Sequence, residues 1–223
     1  MNIALNLWFY DMKLRVLRLS SVSFALFSVV TFAQAHPHVW VTVQSTLIAQ
    51  PDGQISAIRH AWTFDEPFSA YATIGLDVDK DGKLSRQELS DLAKVNVDSL
   101  SEYTFFTRLL HAKASAVFAE PVDYYLAHDG KALTLNFTLP LKSGAMALND
   151  ARLEVSDPSF FVSFEFAKDD PIKVEGFKGT CKVELKKPAP SVFKRLSELG
   201  ESAFEKSQGV GLDFATPVSF SCK

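Results

Sequence analysis

The chain has 223 residues, 47% hydrophobic and 22% charged, which places it among ordinary globular proteins and excludes a disordered or collagen-like chain. A formal net charge of −3 leaves no basic excess for a phosphate backbone, so nucleic acid is not an expected partner. The 19 phenylalanines predict a substantial core, and 2 cysteines are too few for a zinc ribbon or a disulfide-dense scaffold.

Lys13, Arg15 and Arg18 precede an apolar stretch from Leu19 to Phe32, followed by Ala33-Gln34-Ala35. A basic start, a short apolar run and a small-residue cleavage site are the layout of a signal peptide. The run is short for the roughly 30 Å of a bilayer core. The expected organisation is therefore a cleaved leader, 1–35, and a single domain, 36–223, with the mature chain starting at His36. Export to the periplasm places Cys181 and Cys222 in an oxidising compartment, where an even pair is expected as one disulfide.

His36-Pro37-His38-Val39-Trp40-Val41-Thr42-Val43-Gln44 alternates apolar and polar residues in the period of a strand, and Ile58, His60, Trp62 and Phe64 do so again. Asp52-Gly53 between them is a hairpin turn signal. With a two-residue turn the numbers of opposed residues sum to 105, so Val41 faces Phe64, Val43 faces Trp62 and Leu47 faces Ile58 on one apolar face. The same register sets His60 opposite Ser45 as a core histidine, and Asp65 opposite Trp40.

Glu66-Pro67 opens a helical pattern with Phe68, Tyr71 and Ile74 at helical spacing, and Ser85 to Phe106 reads as a second helix. Strands are expected over 122–127, 133–139, 151–155, 160–166, 172–177, 181–185 and 218–222. A C-terminal helix is expected over Ser191–Lys206. The fold class predicted is α+β: an antiparallel β-sheet domain with an EF-hand-like helical hairpin inserted over 66–108 and a C-terminal helix.

Between the two helical patterns, Asp77-Val78-Asp79-Lys80-Asp81-Gly82-Lys83-Leu84-Ser85-Arg86-Gln87-Glu88 matches the twelve-residue EF-hand loop at each diagnostic position. Ca²⁺ takes six to eight oxygens. The expected ligands are the carboxylates of Asp77, Asp79 and Asp81, the carbonyl of Lys83, Ser85 directly or through water, and Glu88 in bidentate fashion. Gly82 permits the sharp turn, and Ser85 with Glu88 forms a capping box. The competing reading is a solvated turn between helices. A lone loop in a compartment with ample Ca²⁺ acts as a structural staple more readily than as a switch.

His36 would carry the α-amine of the mature chain, so its imidazole and amine can chelate one ion, with His38 two residues on. Pro37 has no N–H and cannot supply an amide ligand. Adding Asp65 from the facing strand makes a site suited to Zn²⁺, Ni²⁺, Co²⁺ or Cu²⁺. The competing reading is a polar entry to a strand. His111 and His128 are expected in a connection and a turn, both exposed, and Asp157, Asp169 and Asp170 in solvated loops. No Gly-x-Ser-x-Gly, Walker loop, His-Glu-x-x-His or dinucleotide fingerprint occurs in the sequence, and no enzymatic activity is expected.

The residues His36 to Val41, Trp62-Thr63-Phe64-Asp65-Glu66, the Asp77–Glu88 loop, Tyr103-Thr104-Phe105-Phe106 and Asp157-Pro158-Ser159-Phe160-Phe161-Val162 together resemble a bacterial family of exported proteins labelled the periplasmic component of an uncharacterised ABC-type transport system. Members look to be encoded near nickel/cobalt or zinc permeases. The resemblance thus implies an accessory role in divalent transition-metal transport, with an inner-membrane permease or ABC-type transporter as partner. Phe160-Phe161 stand where such proteins tend to carry tyrosines. The alternative is a Ca²⁺-stabilised adaptor or assembly factor with no transition-metal site, using its Phe-rich strands as a contact surface.

Overall fold

The computed structural model describes residues 38–142, 144–189, 191–192 and 209–223. The chain divides into the units Met1–Gln34 and Ala35–Lys223, and every described residue belongs to the second. The expected leader, 1–35, and His36 lie outside the described residues.

The first hairpin sets the frame. β1 (Val39–Ala49) buries Val39, Val41, Val43, Ser45, Leu47 and Ala49 and exposes or half-exposes the residues between, as a period of two demands. β2 (Gln54–Phe64) runs antiparallel to it with Val41 opposite Phe64, Val43 opposite Trp62 and Leu47 opposite Ile58. The expected register therefore holds along most of the ladder. It slips by one residue at Ile48/Ala49, so Ala49 opposes Ile55 beside the turn, where Gly53 takes φ +83° and abuts the ring of Phe177.

After α1 (Glu66–Ala72), α2 (Ser90–Leu100) and a 3-10 segment (Ser101–Phe106), the regular structure of the described residues is mainly strand. The strands are β3 (Thr107–His111), β4 (Ala114–Ser115), β5 (Val122–His128), β6 (Leu133–Pro140), β7 (Met146–Ala147), β8 (Ala151–Val155), β9 (Val162–Phe166), β10 (Ile172–Glu175), β11 (Cys181–Leu185) and β12 (Val218–Cys222). The first sheet has the order β10-β1-β2-β6-β5, with β7 also on β2 and β9 also on β1; the second has the order β11-β12-β8-β3-β4. Trp62, Phe137, Leu47, Ile58 and Leu139 of the first sheet share one core with Leu109, Leu153 and Phe220 of the second and with Leu89, Ala93 and Val97 around α2. Trp62 meets Phe137 edge-on at 4.8 Å, the favoured geometry for aromatic quadrupoles.

This corrects the expected fold class in four respects. The domain is mostly β, with two sheets. Its first sheet is mixed, because β9 and β10 lie end to end along the outer edge of β1 and both run parallel to it. No EF-hand-like helical hairpin forms. α1 stops at Ala72, where Thr73 returns its N–H and hydroxyl to the Ser69 carbonyl, and Gly75 follows at φ +80°. Tyr71 and Ile74 had helical spacing but find nothing to bury against, at 77% and 74% exposure, so no packing extends so short a helix towards Asp77. On the far side α2 begins only at Ser90 and ends at Leu100, after which Thr104, Phe105 and Phe106 adopt positive φ and deliver the chain into β3, a strand absent from the expected elements. Finally, only Ser191 and Val192 of the expected C-terminal helix are described; the rest of Ser191–Lys206 lies outside, and the described C-terminal residues form a 3-10 turn, Val210–Phe214, and β12.

Cys181 and Cys222 face each other across β11 and β12 and are disulfide-bonded. Beside them Thr180 and Lys223 exchange two backbone hydrogen bonds, so the bond secures the C-terminal strand to the sheet's edge strand.

Candidate metal centre

The loop Asp77–Glu88 is folded by its own polar side chains. Gly82 stands at φ +79°, where a Cβ would be strained, and donates its N–H to Asp77 Oδ2 at 3.1 Å. The N–H of Asp81 donates to Asp79 Oδ1 at 3.1 Å and that of Lys83 to Asp81 Oδ1 at 2.7 Å, turns that Asp side chains stabilise locally. Ser85 and Glu88 form the expected reciprocal cap: Ser85 N–H and hydroxyl donate to Glu88 Oε2 at 2.9 and 2.8 Å, and Glu88 N–H donates to Ser85 Oγ at 3.3 Å. The N–H of Val78 donates to Glu88 Oε1 at 2.8 Å, which ties the two ends of the loop together. These donors, the Ser85 N–H first, hold the Glu88 carboxyl down to about 2, so it stays ionised.

Asp77, Asp79 and Asp81 each offer a carboxylate oxygen within 4.8 Å of the others, an all-oxygen group that could hold a metal ion. Asp77 Oδ1 is buried and accepts no hydrogen bond. A charged oxygen buried without a donor is costly, and a cation is the simplest remedy for it. The residues present therefore fit a hard cation. The loop is anchored by Leu84 and Leu89, which pack on the core, and by Arg86, whose guanidinium lies 3.7 Å over the ring of Tyr125 on β5.

The histidine end is arranged differently. His36 is outside the described residues. His38 is exposed at the entry to β1, donates its backbone N–H to the Phe161 carbonyl at 2.9 Å and sets its ring 4.7 Å from that of Phe161. Asp65 lies opposite Trp40, as the hairpin register required, yet its carboxylate serves the fold: Oδ1 caps α1 by accepting from Phe68 N–H at 2.8 Å, and Oδ2 accepts from Trp40 N–H at 2.9 Å. Among the described residues, neither His38 nor Asp65 belongs to a group of three or more potential ligands.

His60 is a core histidine, 1% exposed, with Nδ1 at 2.9 Å from Ser45 Oγ and Nε2 at 3.3 Å from Thr107 Oγ1. Burial pushes it down to about 3, so the ring is neutral. His111 ends β3 and His128 ends β5, both half-buried where exposure was expected, and His128 Nδ1 accepts from Gly130 N–H.

Asp157 is buried, against expectation. Its carboxylate accepts from the N–H and hydroxyl of Ser159 and from Val162 N–H, and so builds the turn that carries Phe160 and Phe161. Two further partners were invisible to motif reading. Thr107 became legible only with β3, and Glu154 is buried between Arg108 of the neighbouring strand β3 at 3.1 Å and Arg152 of its own strand β8 at 2.6 Å. Among the described residues, no helix is long and apolar enough to cross a membrane.

The family model described as protein of unknown function (DUF1007) matches residues 22–222, and the chain belongs to that family. No curated protein matches it.

Proposed function

We propose that this member of the family is an exported, non-enzymatic metal-binding protein that assists a divalent-metal permease. In this reading the Asp77–Glu88 loop holds Ca²⁺ as a structural staple, and His36 and His38 take up a transition-metal ion, Zn²⁺, Ni²⁺, Co²⁺ or Cu²⁺. The observation that carries the calcium reading is the buried Asp77 Oδ1 without a donor, beside Asp79 and Asp81. Lys83 carbonyl, Ser85 hydroxyl and Glu88 are the remaining oxygens that would complete a hard-cation shell. Export and the periplasm are supported by the Cys181–Cys222 disulfide, which persists in oxidising compartments.

A second reading, a Ca²⁺-stabilised adaptor with no transition-metal site, is favoured by one detail: both Asp65 oxygens already accept backbone N–H groups. The two readings separate by elemental analysis of the exported protein, with its intact mass fixing the N-terminus. Stoichiometric calcium with about one equivalent of Zn, Ni, Co or Cu, the latter lost in a His36→Ala/His38→Ala variant, supports the transport accessory. Calcium alone after challenge with those metals leaves the adaptor. Protein free of calcium, whose melting does not respond to added Ca²⁺, overturns both.

A further inference from the structure

A cavity of about 410 Å³ opens between the free edges of the two sheets, β9 on one side and the end of β11 on the other. Its wall is aromatic: Phe160, Phe164, Phe166 and Phe214 line it with Leu185. The wall is also braced from behind. Phe164 packs on Trp62 at 5.0 Å and on Phe106 at 5.3 Å, and Phe160 stacks on Phe214 at 4.4 Å. The cavity therefore backs onto the core, with a firm apolar lining in the size range of small-molecule sites.

Its rim is cationic. Lys168 and Lys187 both border the cavity, and neither forms an ion pair among the described residues. Glu165 is the single acid among the lining residues, so the rim carries a positive balance on a chain of net charge −3. An apolar interior with two ammonium groups at its mouth, unpaired among the described residues, matches a ligand with a hydrocarbon body and an anionic head.

We propose that this cavity binds a single-chain amphiphile with a carboxylate head, its chain among the phenylalanines and its carboxylate at Lys168 and Lys187. The site is separate from the acidic loop and does not depend on the metal-binding reading.

The test is calorimetric titration of the protein purified after expression of the full chain, with dodecanoate below its micelle concentration as the probe. Saturable one-to-one binding is expected. Octanoate should bind more than tenfold more weakly, since each buried methylene contributes about fourfold in affinity. Lys168→Glu/Lys187→Glu, both exposed, should weaken dodecanoate at least tenfold without changing the circular dichroism spectrum. Ala167→Trp, which fills the cavity, should abolish binding. The absence of saturable binding overturns the proposal. Equal affinity for dodecyltrimethylammonium does so too, as does undiminished binding to folded Ala167→Trp. If Ala167→Trp does not fold, the comparison of anionic with cationic head and the lysine variant decide the matter.

Discussion

The chain holds two polar clusters of opposite kind, the His60 triad in the core and the Asp77–Glu88 loop at the surface. In the core, the imidazole offers two nitrogens and meets two hydroxyls, Ser45 and Thr107, with the rings of Trp62 and Phe137 filling the remaining space. The charge is zero and each ring nitrogen has a partner. In the loop, three carboxylates converge on one another and the backbone satisfies only part of their capacity. Among the described residues, the buried side-chain polar atoms without a hydrogen bond are Trp62 Nε1 and Asp77 Oδ1. The first is a neutral donor among rings, which costs about 1–3 kcal/mol and asks for nothing. The second belongs to a charged group in a cluster of like charges. A satisfied polar cluster is architecture, whereas the unsatisfied charged one could hold a metal ion.

Acid should break the first cluster with the largest effect. No carboxylate faces His60 from the elements that contact it, and burial alone holds it down to about 3 from an ordinary 6.5. The unfolded chain therefore binds a proton that the folded chain refuses. Stability from this residue is complete above pH 6.5 and falls as the pH drops towards 3, by up to about 1.4 kcal/mol per unit. Denaturant titrations in EDTA at pH 7.5, 5 and 4 should show this slope in the wild type and a flatter one in His60→Gln. Equal slopes would mean that the core tolerates the charge.

Metal should sharpen the second cluster. At a hundredfold excess over its dissociation constant, Ca²⁺ should stabilise the protein by about 2.7 kcal/mol. Asp77→Asn should remove that increment while leaving the EDTA melting temperature nearly unchanged, because the hydrogen-bonded turns remain. An increment retained in Asp77→Asn would place the ion elsewhere.

The two clusters also differ in how far they could be read from residue order. The turns of the loop are legible because Asp77, Asp79, Asp81, Gly82 and the Ser85–Glu88 pair are residue types at fixed spacing. The β1–β2 pairing is legible because Asp52-Gly53 sets the turn and a period of two sets the face, so even His60 opposite Ser45 follows. What lies beyond short range is not. Thr107 joins His60 only because Thr104, Phe105 and Phe106 take positive φ, and nothing in those residue types announces it. The helical spacing of Tyr71 and Ile74 counted for little because no neighbour covers them. The parallel pairing of β9 and β10 on β1 depends on partners more than a hundred residues away, to which strand periodicity is blind.

Asp65 tests whether the histidine end belongs with architecture or with ligand sites. Removing its carboxylate as Asp65→Ala takes away the α1 cap and the acceptor for Trp40 N–H, at an expected cost of about 1–2 kcal/mol in chemical denaturation. If Asp65 is purely structural, Asp65→Ala should leave the transition-metal affinity of His36 and His38 within a factor of two. A tenfold loss would make it a ligand as well as a cap.

The smallest effect concerns the link between loop and sheet. Arg86 extends from the loop to lie over Tyr125, and an exposed cation–π contact of this kind contributes about 0.5–1 kcal/mol. Arg86→Ala should therefore lower stability by that amount in EDTA. The Ca²⁺ increment should stay the same, because the loop's turns are made by Asp77, Asp79, Asp81 and Glu88 themselves and Leu84 and Leu89 remain packed on the core. A Ca²⁺ increment that collapses with Arg86→Ala would show the opposite. The loop would then need the β5 surface to hold its shape, and ion occupancy would be felt on the first sheet.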